Sequence, residues 1–332
     1  MDPHGSKDHA MTLLLQQFAS PGPAENASKD RVSRMVGIVV IGRNEGERLH
    51  RALASARDQT EQIVYVDSGS NDASVAWARE RGVETVELDA NRPFTAARAR
   101  NAGFARLLAR WPDIGIVQFI DGDCELAPGW VSVAFVTLMS RPDLAIVFGR
   151  RRERFRDATV YNRLCDMEWD GAPGFVQSCG GDSAMRVEAL RAVGGFRETL
   201  IAGEEPDLCH RLRRDGWLIE RIADDMTVHD ASMTRWQQWW QRNRRSGFAG
   251  AEAWRLRGRE DPRLFRSVLS NIMWAIPPAW PLWPVLWLRV ARRSGGLYAT
   301  HIMLGKVPHA VGQLEYWLRP RSERHIQLIE YK

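Results

Sequence analysis

Two carboxylates one residue apart, Asp121 and Asp123, follow directly on the mostly apolar residues 116–120. A short β-branched and aromatic run bounded by turn residues is typical of a buried strand. At the carboxyl end of a strand in an open parallel sheet, such side chains face the ligand crevice. An Asp-x-Asp pair there either caps the next turn or supplies oxygen ligands for a divalent cation such as Mg²⁺ or Mn²⁺. The motif alone leaves both alternatives open.

A second acidic cluster, Glu204, Glu205 and Asp207, precedes a helical pattern over residues 208–215. Acids at a helix N-terminus are stabilised by the helix dipole, and the intervening Pro206 suits a first turn. One acid, for which Asp207 is suited, is enough for that role. A surplus carboxylate in a cleft is a candidate general base.

Two further positions have the character of site residues. His229 follows the strand-like residues 226–228 and is either a metal ligand, a partner of one, or a structural histidine. Gly181 belongs to residues 180–185, a stretch typical of backbone that passes close to a ligand. Residues 150–156 carry five arginines and are expected to form an exposed loop or an edge strand.

The elements that must position these side chains alternate along the first half of the chain. Strands are expected over residues 36–41, 62–66, 83–88, 116–120 and 144–148. Helical patterns lie between them, over residues 48–57, 70–81, 96–111 and 130–140. This alternation predicts a doubly wound α/β sheet, with polar residues gathered where the strands end.

The chain has 332 residues and 44% hydrophobic content, enough for one large core or two smaller ones. The first 34 residues are interpreted as a mobile leader, because their apolar patch at 11–15 is too short for a signal or a membrane span. The four cysteines form no C-x-x-C pair, which argues against a zinc site or a disulfide framework and for a reducing compartment.

Charge is distributed unevenly about a formal net value of +5. Residues 241–332 hold 16 Lys and Arg against 6 Asp and Glu, a net charge of +10. This asymmetry indicates contact with an anionic surface, unless it is merely a solvated basic face. Nucleic acid is set aside as a partner, because no nucleic-acid-binding module accompanies the charge.

Residues 268–290 are long enough to span a bilayer but are interrupted by four prolines. Four tryptophans in the same stretch favour a membrane–water interface, and Arg289, Arg292 and Arg293 suit anionic headgroups. We therefore expect this segment to lie in the interface. The alternative is a tryptophan-rich core or an interface between subunits.

Taken together and in order, six motifs make residues 36–245 resemble an inverting family 2 glycosyltransferase of the GT-A fold. They lie at residues 39–45 (Val-Val-Ile-Gly-Arg-Asn-Glu), 66–72, 99–103, 121–123, 203–209 and 228–229. The resemblance implies a mixed doubly wound sheet, with residues 35–245 as the nucleotide-sugar-binding and catalytic domain. Residues 246–332 are then a helical, basic, Trp-rich extension, after a leader over residues 1–34.

The same resemblance implies roles for individual residues. Asp67 would recognise the nucleotide base, Arg100 would approach the nucleotide or its diphosphate, and Asp121 would face the ribose or the base. Asp123 would bind the metal, Mn²⁺ or Mg²⁺, with Asp121 and His229 as further candidate ligands. The full set of implied donor-binding residues is Gly42, Asn44, Glu45, Asp67, Ser70, Arg100, Asp121 and Gly181.

The catalytic base of the family is usually the second residue of a Glu-Asp pair, and Glu205 stands at that position here. It keeps the carboxylate but lengthens its arm by one methylene, so the role could shift to Glu204 or Asp207. Residues 241–245, Gln-Arg-Asn-Arg-Arg, are similar to the Gln-x-x-Arg-Trp signature of processive members. Because the last residue is Arg, processivity is not inferred.

These observations predict a metal-dependent inverting transferase that moves a sugar from a nucleoside diphosphate sugar, with a UDP-sugar favoured. The acceptor would be lipid-linked or a glycan in bacterial cell-envelope or exopolysaccharide biosynthesis, at the cytoplasmic face of the inner membrane or otherwise in the cytoplasm. An oligomer is compatible with the sequence.

Two other classes stay open at this stage. One is a sugar nucleotidyltransferase, for whose phosphate loop residues 42–46 are a poor match. The other is a non-catalytic membrane-associated scaffold of the same fold, against which the retained acids argue.

Overall fold

The computed structural model describes residues 32, 34–258 and 260–320. Within these residues a nine-stranded mixed sheet has the order β3-β2-β1-β4-β8-β6-β9-β5, with β7 paired to β9. The leader predicted over residues 1–34 lies outside the described residues, apart from residues 32 and 34.

The first half of the sheet is parallel, and its helices form the connections between strands. Its strands are β1 (Val36–Gly42), β2 (Ile63–Asp67), β3 (Glu84–Glu87) and β4 (Ile116–Asp121). Its helices are α1 (Glu47–Arg57), α2 (Ser74–Glu80) and α3 (Ala96–Arg110). The register pairs Gly42 with Asp67 and Ile41 with Asp121. Both aspartates therefore flank the carboxyl end of β1.

The second half of the sheet mixes strand directions. Its strands are β5 (Cys124–Leu126), β6 (Leu144–Glu153), β7 (Gly174–Phe175), β8 (Ser183–Arg186) and β9 (Leu218–His229). Its helices are α4 (Trp130–Ser140), α5 (Val160–Glu168), α6 (Val187–Ala192) and α7 (Glu204–Arg214). Because β5 pairs antiparallel with the end of β9, Cys124 lies opposite His229. This pairing brings His229 beside Asp123.

The hydrophobic core covers both faces of the sheet. Alternate residues of β1 divide between two clusters, with Ile38 facing α1 and α4 and Val39 facing α3 and α7. Helix α3 packs closely on the sheet, since a Cβ at Gly103 would lie 2.4 Å from Val39 Cγ1. Full burial of each large aliphatic side chain contributes about 1.5–3 kcal/mol, so this core holds the strand ends in place.

The C-terminal helices are α8 (Trp236–Arg257), α9 (Pro262–Ala275), a 3₁₀ helix (Pro277–Leu282), α10 (Trp283–Ser294) and α11 (Gly296–Leu318). Helices α8 and α11 nearly touch, because a Cβ at Gly312 would lie 2.0 Å from Arg244 O. The domain boundary predicted between residues 245 and 246 falls inside α8, which is continuous. The helical extension therefore begins at Trp236.

Proline divides residues 268–290 into separate helical pieces. Pro277 and Pro278 begin the 3₁₀ helix, and Pro284 lies in the first turn of α10. These are positions where a missing N–H costs little. Within residues 34–258 and 260–320, every helix is too short or too polar to cross a bilayer.

The arginine-rich stretch at residues 150–156 differs from its prediction. Strand β6 continues through Glu153, with Arg150 buried and the side chain of Arg151 13% exposed. Their guanidinium groups tolerate burial because carboxylates meet them, Asp166 for Arg150 and Asp182 for Arg151. The expectation of an exposed loop or edge strand was wrong for these two residues.

Candidate active site

A cleft of about 430 Å³ opens at the carboxyl ends of β1 and β4. Its lining includes Gly42, Asn44, Glu45, Phe94 and Arg245. Asn44 has a φ of 54°, a left-handed conformation that Asn tolerates better than most residues. It joins the loops after β1 and β2, because Asn44 N donates to Ser70 Oγ at 2.9 Å and Asn71 N donates to Asn44 Oδ1 at 2.8 Å.

Asp67 holds its own loop in shape. It is 2% exposed, and its carboxylate accepts hydrogen bonds from Tyr65 Oη, Gly69 N and both the amide and the hydroxyl of Ser70. Both carboxylate oxygens are therefore engaged within the protein. These bonds give Asp67 a loop-shaping role, and the base contact that the resemblance implied stays a prediction.

Close packing leaves little room for a side chain at Gly122, between the two aspartates of the 121–123 motif. A Cβ at Gly122 would lie 3.2 Å from Glu45 Cγ and 3.4 Å from Gly42 Cα. Glu45 is held there by an ion pair with Arg48 at 2.7 Å. The floor of the cleft is thus built from closely approaching backbone, with no side chain at residue 122.

Arg100 is the centre of the acidic cluster. Its guanidinium group is buried and contacts Asp121 Oδ1 at 2.9 Å, Glu204 Oε1 at 2.8 Å and Glu205 Oε1 at 3.1 Å. Burial by itself lowers the pKa of Arg100, but the three carboxylates outweigh it and raise that pKa. One cation therefore joins β4 to the start of α7.

Negative charge exceeds positive charge in this cluster. Arg151 approaches Asp121 and Asp182, each at 3.5 Å. Asp182 also accepts the backbone N–H of Asp121 and the hydroxyl of Thr227. The five carboxylates outnumber the two guanidinium groups by three charges; they belong to Asp121, Asp123, Asp182, Glu204 and Glu205. Such an excess favours a bound cation.

Glu205 has the titration behaviour of a general base. Burial and the neighbouring Glu204 carboxylate raise the pKa of Glu205 to about 7, although Arg100 acts in the opposite direction. A base is most effective when its pKa lies near the working pH. The backbone at Gly181 passes directly beside it, since a Cβ there would lie 2.6 Å from Arg100 Nη2 and 3.2 Å from Glu205 Oε1.

Asp123 and His229 face each other in a geometry that suits a metal. Asp123 Oδ2 lies 3.3 Å from His229 Nε2, while His229 Nδ1 lies 3.0 Å from Glu153 Oε2. Glu153 accepts the Nδ1 proton and so directs the Nε2 lone pair toward Asp123. Two electron-rich atoms at that distance need a proton or a cation between them. The oxygen and nitrogen donors suit Mn²⁺ and related divalent ions.

Asp207 does not join this site. It lies on α7 with its carboxylate 2.9 Å from Arg211 Nε, 3.5 Å from Arg197 Nε and 3.7 Å from Arg257 Nη1. Residues 205 and 207 project about 200° apart around a helix of 3.6 residues per turn. Asp207 therefore belongs to a separate charge cluster, and its inclusion among the candidate bases is corrected.

A second cavity of about 190 Å³ adjoins the cleft, and Asp121 lines both. Its other walls include Asp123, Glu205, His229 and Arg242. The ring of Trp169 lies beneath the guanidinium of Arg151, at 4.5 Å, and meets the His229 ring edge-on at 4.6 Å. The site therefore has two compartments, with the candidate base and the candidate metal ligands in the smaller one.

Sequence reasoning missed Arg151, Glu153 and Asp182. A signal for Arg151 existed, because it lies three residues beyond the apolar residues 144–148, near the end of a predicted strand as Asp121 is. Asp182 stands directly after the recognised Gly180-Gly181 pair. Because arginines are so frequent around Arg151, the sequence did not indicate which of them reaches the site.

The mixed sheet, with acids after β4 and at the start of α7, is the arrangement of the GT-A fold. The chain superimposes on a mannosyltransferase of Pyrobaculum calidifontis, solved in complex with GDP-Man and Mn²⁺, with a TM-score of 0.59 and 17% identity. The match covers 93% of this chain and 98% of that one. At this identity the likeness concerns the fold, and it confirms the predicted fold class.

Residues 37–193 match the model of the family described as glycosyl transferase family 2. This similarity, over slightly less than half of the chain, agrees with the predicted resemblance to family 2. It is 26% identical over 279 residues to the pre-mycofactocin glycosyltransferase of Mycobacterium tuberculosis, covering 80% of this chain and 56% of that protein. A TPR repeat-containing protein of Synechococcus elongatus is 33% identical over 132 residues, which is 39% of this chain and 30% of that one. The chain thus spans about half or less of these relatives.

Proposed function

We propose that this chain transfers a sugar from a nucleoside diphosphate sugar to an acceptor hydroxyl with inversion at the anomeric carbon, with Glu205 as the base and a divalent cation at Asp123. The observation that carries this proposal is the contact of Arg100 with both Asp121 and Glu205. This contact connects Asp121, which lines both compartments, to Glu205, whose carboxylate has a pKa of about 7.

The larger compartment is the proposed donor site. Its volume of about 430 Å³ is within the usual range for ligand pockets. Gly42 and Gly122 line this compartment without side chains that would obstruct the diphosphate. The UDP-sugar stays our predicted donor; because the mannosyltransferase of the same fold holds GDP-Man, tests should compare nucleotides.

The metal belongs beside the leaving group. Asp123 and His229 would hold Mn²⁺ or Mg²⁺, and Glu153 would orient His229. The Mn²⁺ of the same-fold mannosyltransferase supports the use of a divalent cation. When bound, such an ion neutralises the charge that grows on the departing diphosphate. The three-charge excess of the cluster is then the protein's contribution to binding it.

Glu205 is the proposed proton acceptor. As the acceptor hydroxyl attacks the anomeric carbon, its proton passes to the Glu205 carboxylate, and the diphosphate leaves from the opposite side with the electrons of the broken bond. Single displacement inverts the configuration. Glu204 acts as a positioning residue, because it shares the Arg100 guanidinium with Glu205.

A membrane surface is the proposed location of the acceptor. Large apolar side chains along α9 to α10 are exposed, among them Met273 at 54%, Trp280 at 49% and Val285 at 70%. Exposed Arg292 and Arg293 follow on α10. These features support a peripheral contact with anionic lipid at the cytoplasmic face, with a lipid-linked acceptor. They do not fit the alternative of a tryptophan-rich core.

The stereochemistry of donor hydrolysis tests the transferase proposal without knowledge of the acceptor. Purified protein with Mn²⁺ is given UDP-, GDP- and TDP-sugars, and NMR identifies the first anomer released when water is the acceptor. We expect one donor to be consumed, with release of the opposite anomer. Release of the retained anomer, or no turnover of any donor by protein that binds its nucleotide, would contradict the proposal.

A further inference from the structure

A polar pocket of about 220 Å³ lies between α8, α9 and α11, in the helical extension. Its lining includes Asn243 of α8, Asn271 of α9, and His301, Lys306 and His309 of α11. It shares no lining residue with either compartment of the active site. The site proposed above leaves this pocket without a role.

Lys306 is the most informative residue of the pocket. The chain has only four lysines among its 46 basic residues, and Lys306 is the one that lies within the described residues. Its ammonium group donates to Ser270 Oγ at 3.1 Å and to Asn271 Oδ1 at 2.9 Å. Burial lowers the pKa of this ammonium group.

No carboxylate of the described residues forms an ion pair with Lys306. The contrast with the active site is sharp, since the buried Arg100 meets three carboxylates and Arg151 meets two. Moving an unpaired cation even partly out of water is unfavourable. A fold that keeps such a group is expected to pair it with an anion from outside the chain.

Among the other polar groups of the pocket, Asn271 can also donate to an anion. Because Lys306 can only donate, Asn271 must turn its oxygen toward it, which leaves the Asn271 amide nitrogen to donate elsewhere. His309 Nδ1 lies 2.6 Å from Gly305 O, so Nδ1 carries the proton and Nε2 can accept a second one. His301 serves as a wall, since Trp239 and Glu168 occupy both of its nitrogens.

We propose that this pocket binds a phosphate group, with Lys306 as the counter-ion and the Asn271 amide nitrogen as a further donor. A compact ammonium beside a neutral amide donor suits a tetrahedral oxyanion. The ligand class is a phosphate ester or free phosphate. The site is separate from the one that would bind the donor diphosphate.

Two sources share this chemistry. Leu269 and Met273 on α9 and Leu304 on α11 are exposed apolar residues close in sequence to the pocket residues, so a lipid phosphate could enter from a membrane surface. A soluble phosphate would enter from water past the exposed Ser267. The pocket is also linked to the smaller active-site compartment, because Glu168 contacts His301 at 2.9 Å and Arg242 at 2.6 Å.

The first arm of the test is calorimetric titration of the full-length chain with inorganic phosphate in EDTA. Lys306→Met removes the ammonium and keeps an unbranched side chain, and Arg263→Met removes one charge from exposed α9 as the matched control. For soluble phosphate, we expect Lys306→Met to weaken binding at one site at least about tenfold, the loss of one charge-assisted bond. The control should bind as the wild type does.

The second arm uses vesicles. Phosphatidic acid vesicles are compared with vesicles of equal surface charge that contain oleate and no anionic phosphate monoester. Lys306-dependent preference for phosphatidic acid, without a Lys306-dependent site for inorganic phosphate, identifies the lipid as the source. Absence of Lys306-dependent phosphate binding in both arms overturns the proposal.

Thermal unfolding measurements show whether the Lys306→Met variant is folded. Without phosphate, Lys306→Met is expected to unfold at or above the wild-type temperature, because it removes a half-buried charge that no carboxylate of the described residues pairs. A ligand that binds only the folded state should raise the melting temperature of the wild type more than that of the variant. Equal phosphate-induced shifts in both would contradict the site. Loss of glycosyl transfer through Glu205 would leave all these binding results unchanged, so the two proposals fail separately.

Discussion

Glu205 combines a raised pKa with a position in the lining of the smaller compartment. Below pH 7 its carboxyl group is mostly protonated and cannot accept a proton. We therefore expect kcat/KM to rise about tenfold per pH unit below pH 7 and to level off above it. A pH–rate profile of donor turnover measures this, and a profile that is flat from pH 5.5 to 8.5 would exclude Glu205 as the base.

Substitution of the same residue separates chemistry from stability. Glu205→Gln should lower kcat by about 10²–10⁴-fold, the usual contribution of a positioned base. Because its pKa is raised, ionised Glu205 costs stability above its unfolded pKa, so the variant should melt no lower than the wild type at pH 8. Asp207→Asn is the matched control on the same helix, with the reverse expectation of retained kcat and a lower melting temperature. Full activity in Glu205→Gln would refute the assignment.

Gly181 allows a test of how closely the backbone must pass the reacting groups. A Cβ at Gly181 would meet Arg100 Nη2 at 2.6 Å, whereas a Cβ at Gly180 meets nothing within 4 Å. Gly181→Ala should therefore displace Arg100 and lower kcat/KM at least about tenfold, since small misplacements of catalytic groups are costly. Gly180→Ala should leave kcat/KM unchanged. Steady-state kinetics of the two variants measures this difference. Equal activity of both would contradict the claim that the backbone must pass close to Arg100 at Gly181.

At the scale of elements, Glu168 joins α5 to the C-terminal helices through Arg242 and His301. Although burial opposes it, these partners lower the pKa of Glu168 to about 2. A depressed carboxylate pKa contributes stability that is present above the unfolded value of about 4.5 and is lost as pH falls toward about 2.

Glu168→Gln should accordingly lower the free energy of unfolding by about 1–3 kcal/mol at pH 7 and by much less at pH 3. The exposed Glu61→Gln is the control, for which a change within about 0.5 kcal/mol is expected. Denaturant unfolding at both pH values gives the comparison. A loss for Glu168→Gln that is the same at pH 3 and pH 7 would mean that the ion pairs carry no net stability.

Local patterns were sufficient for most elements of the sheet domain. Helix α4 has the predicted bounds, and β1, β2 and β4 differ from theirs by a residue or so, because apolar periodicity and turn residues agree there. The buried continuation of β6 was not predictable from its arginines, since their partners Asp166 and Asp182 are supplied by distant elements. Helix α5 went unpredicted for a related reason, as its polar residues Asn162 and Asp166 are buried against β6.

The candidate site was likewise predictable from the sequence only in part. Glu204, Glu205, Asp121, Asp123 and Arg100 were found from motifs, and the structure brings them together. Asp207 points away from the site because of its angular position on α7 and because Arg197, Arg211 and Arg257 lie on that side. Only the three-dimensional contacts reveal that difference.

At the scale of the whole molecule, the exposed apolar side chains of the extension predict adsorption to anionic membranes. Val285→Glu on α10 should reduce sedimentation with phosphatidylglycerol vesicles severalfold, because it adds a charge to a surface that would enter the headgroup region. Val136→Glu on α4 is the control, since this valine is similarly exposed at 60%, against 70% for Val285, but lies in the sheet domain. Self-association measured by ultracentrifugation, lost in Val285→Glu without any vesicle binding by the wild type, would instead assign the surface to a subunit interface.

The central claim is that a nucleoside diphosphate binds beside Asp123 together with a divalent cation. Calorimetric titration with UDP, GDP and TDP, each with and without Mn²⁺, measures this most directly, in the wild type and in Asp123→Ala. The account predicts that one diphosphate binds in a Mn²⁺-dependent manner and that Asp123→Ala, still folded, loses that dependence. If no diphosphate binds in either condition, or if Asp123→Ala binds as tightly as the wild type, the assignment of the site is contradicted.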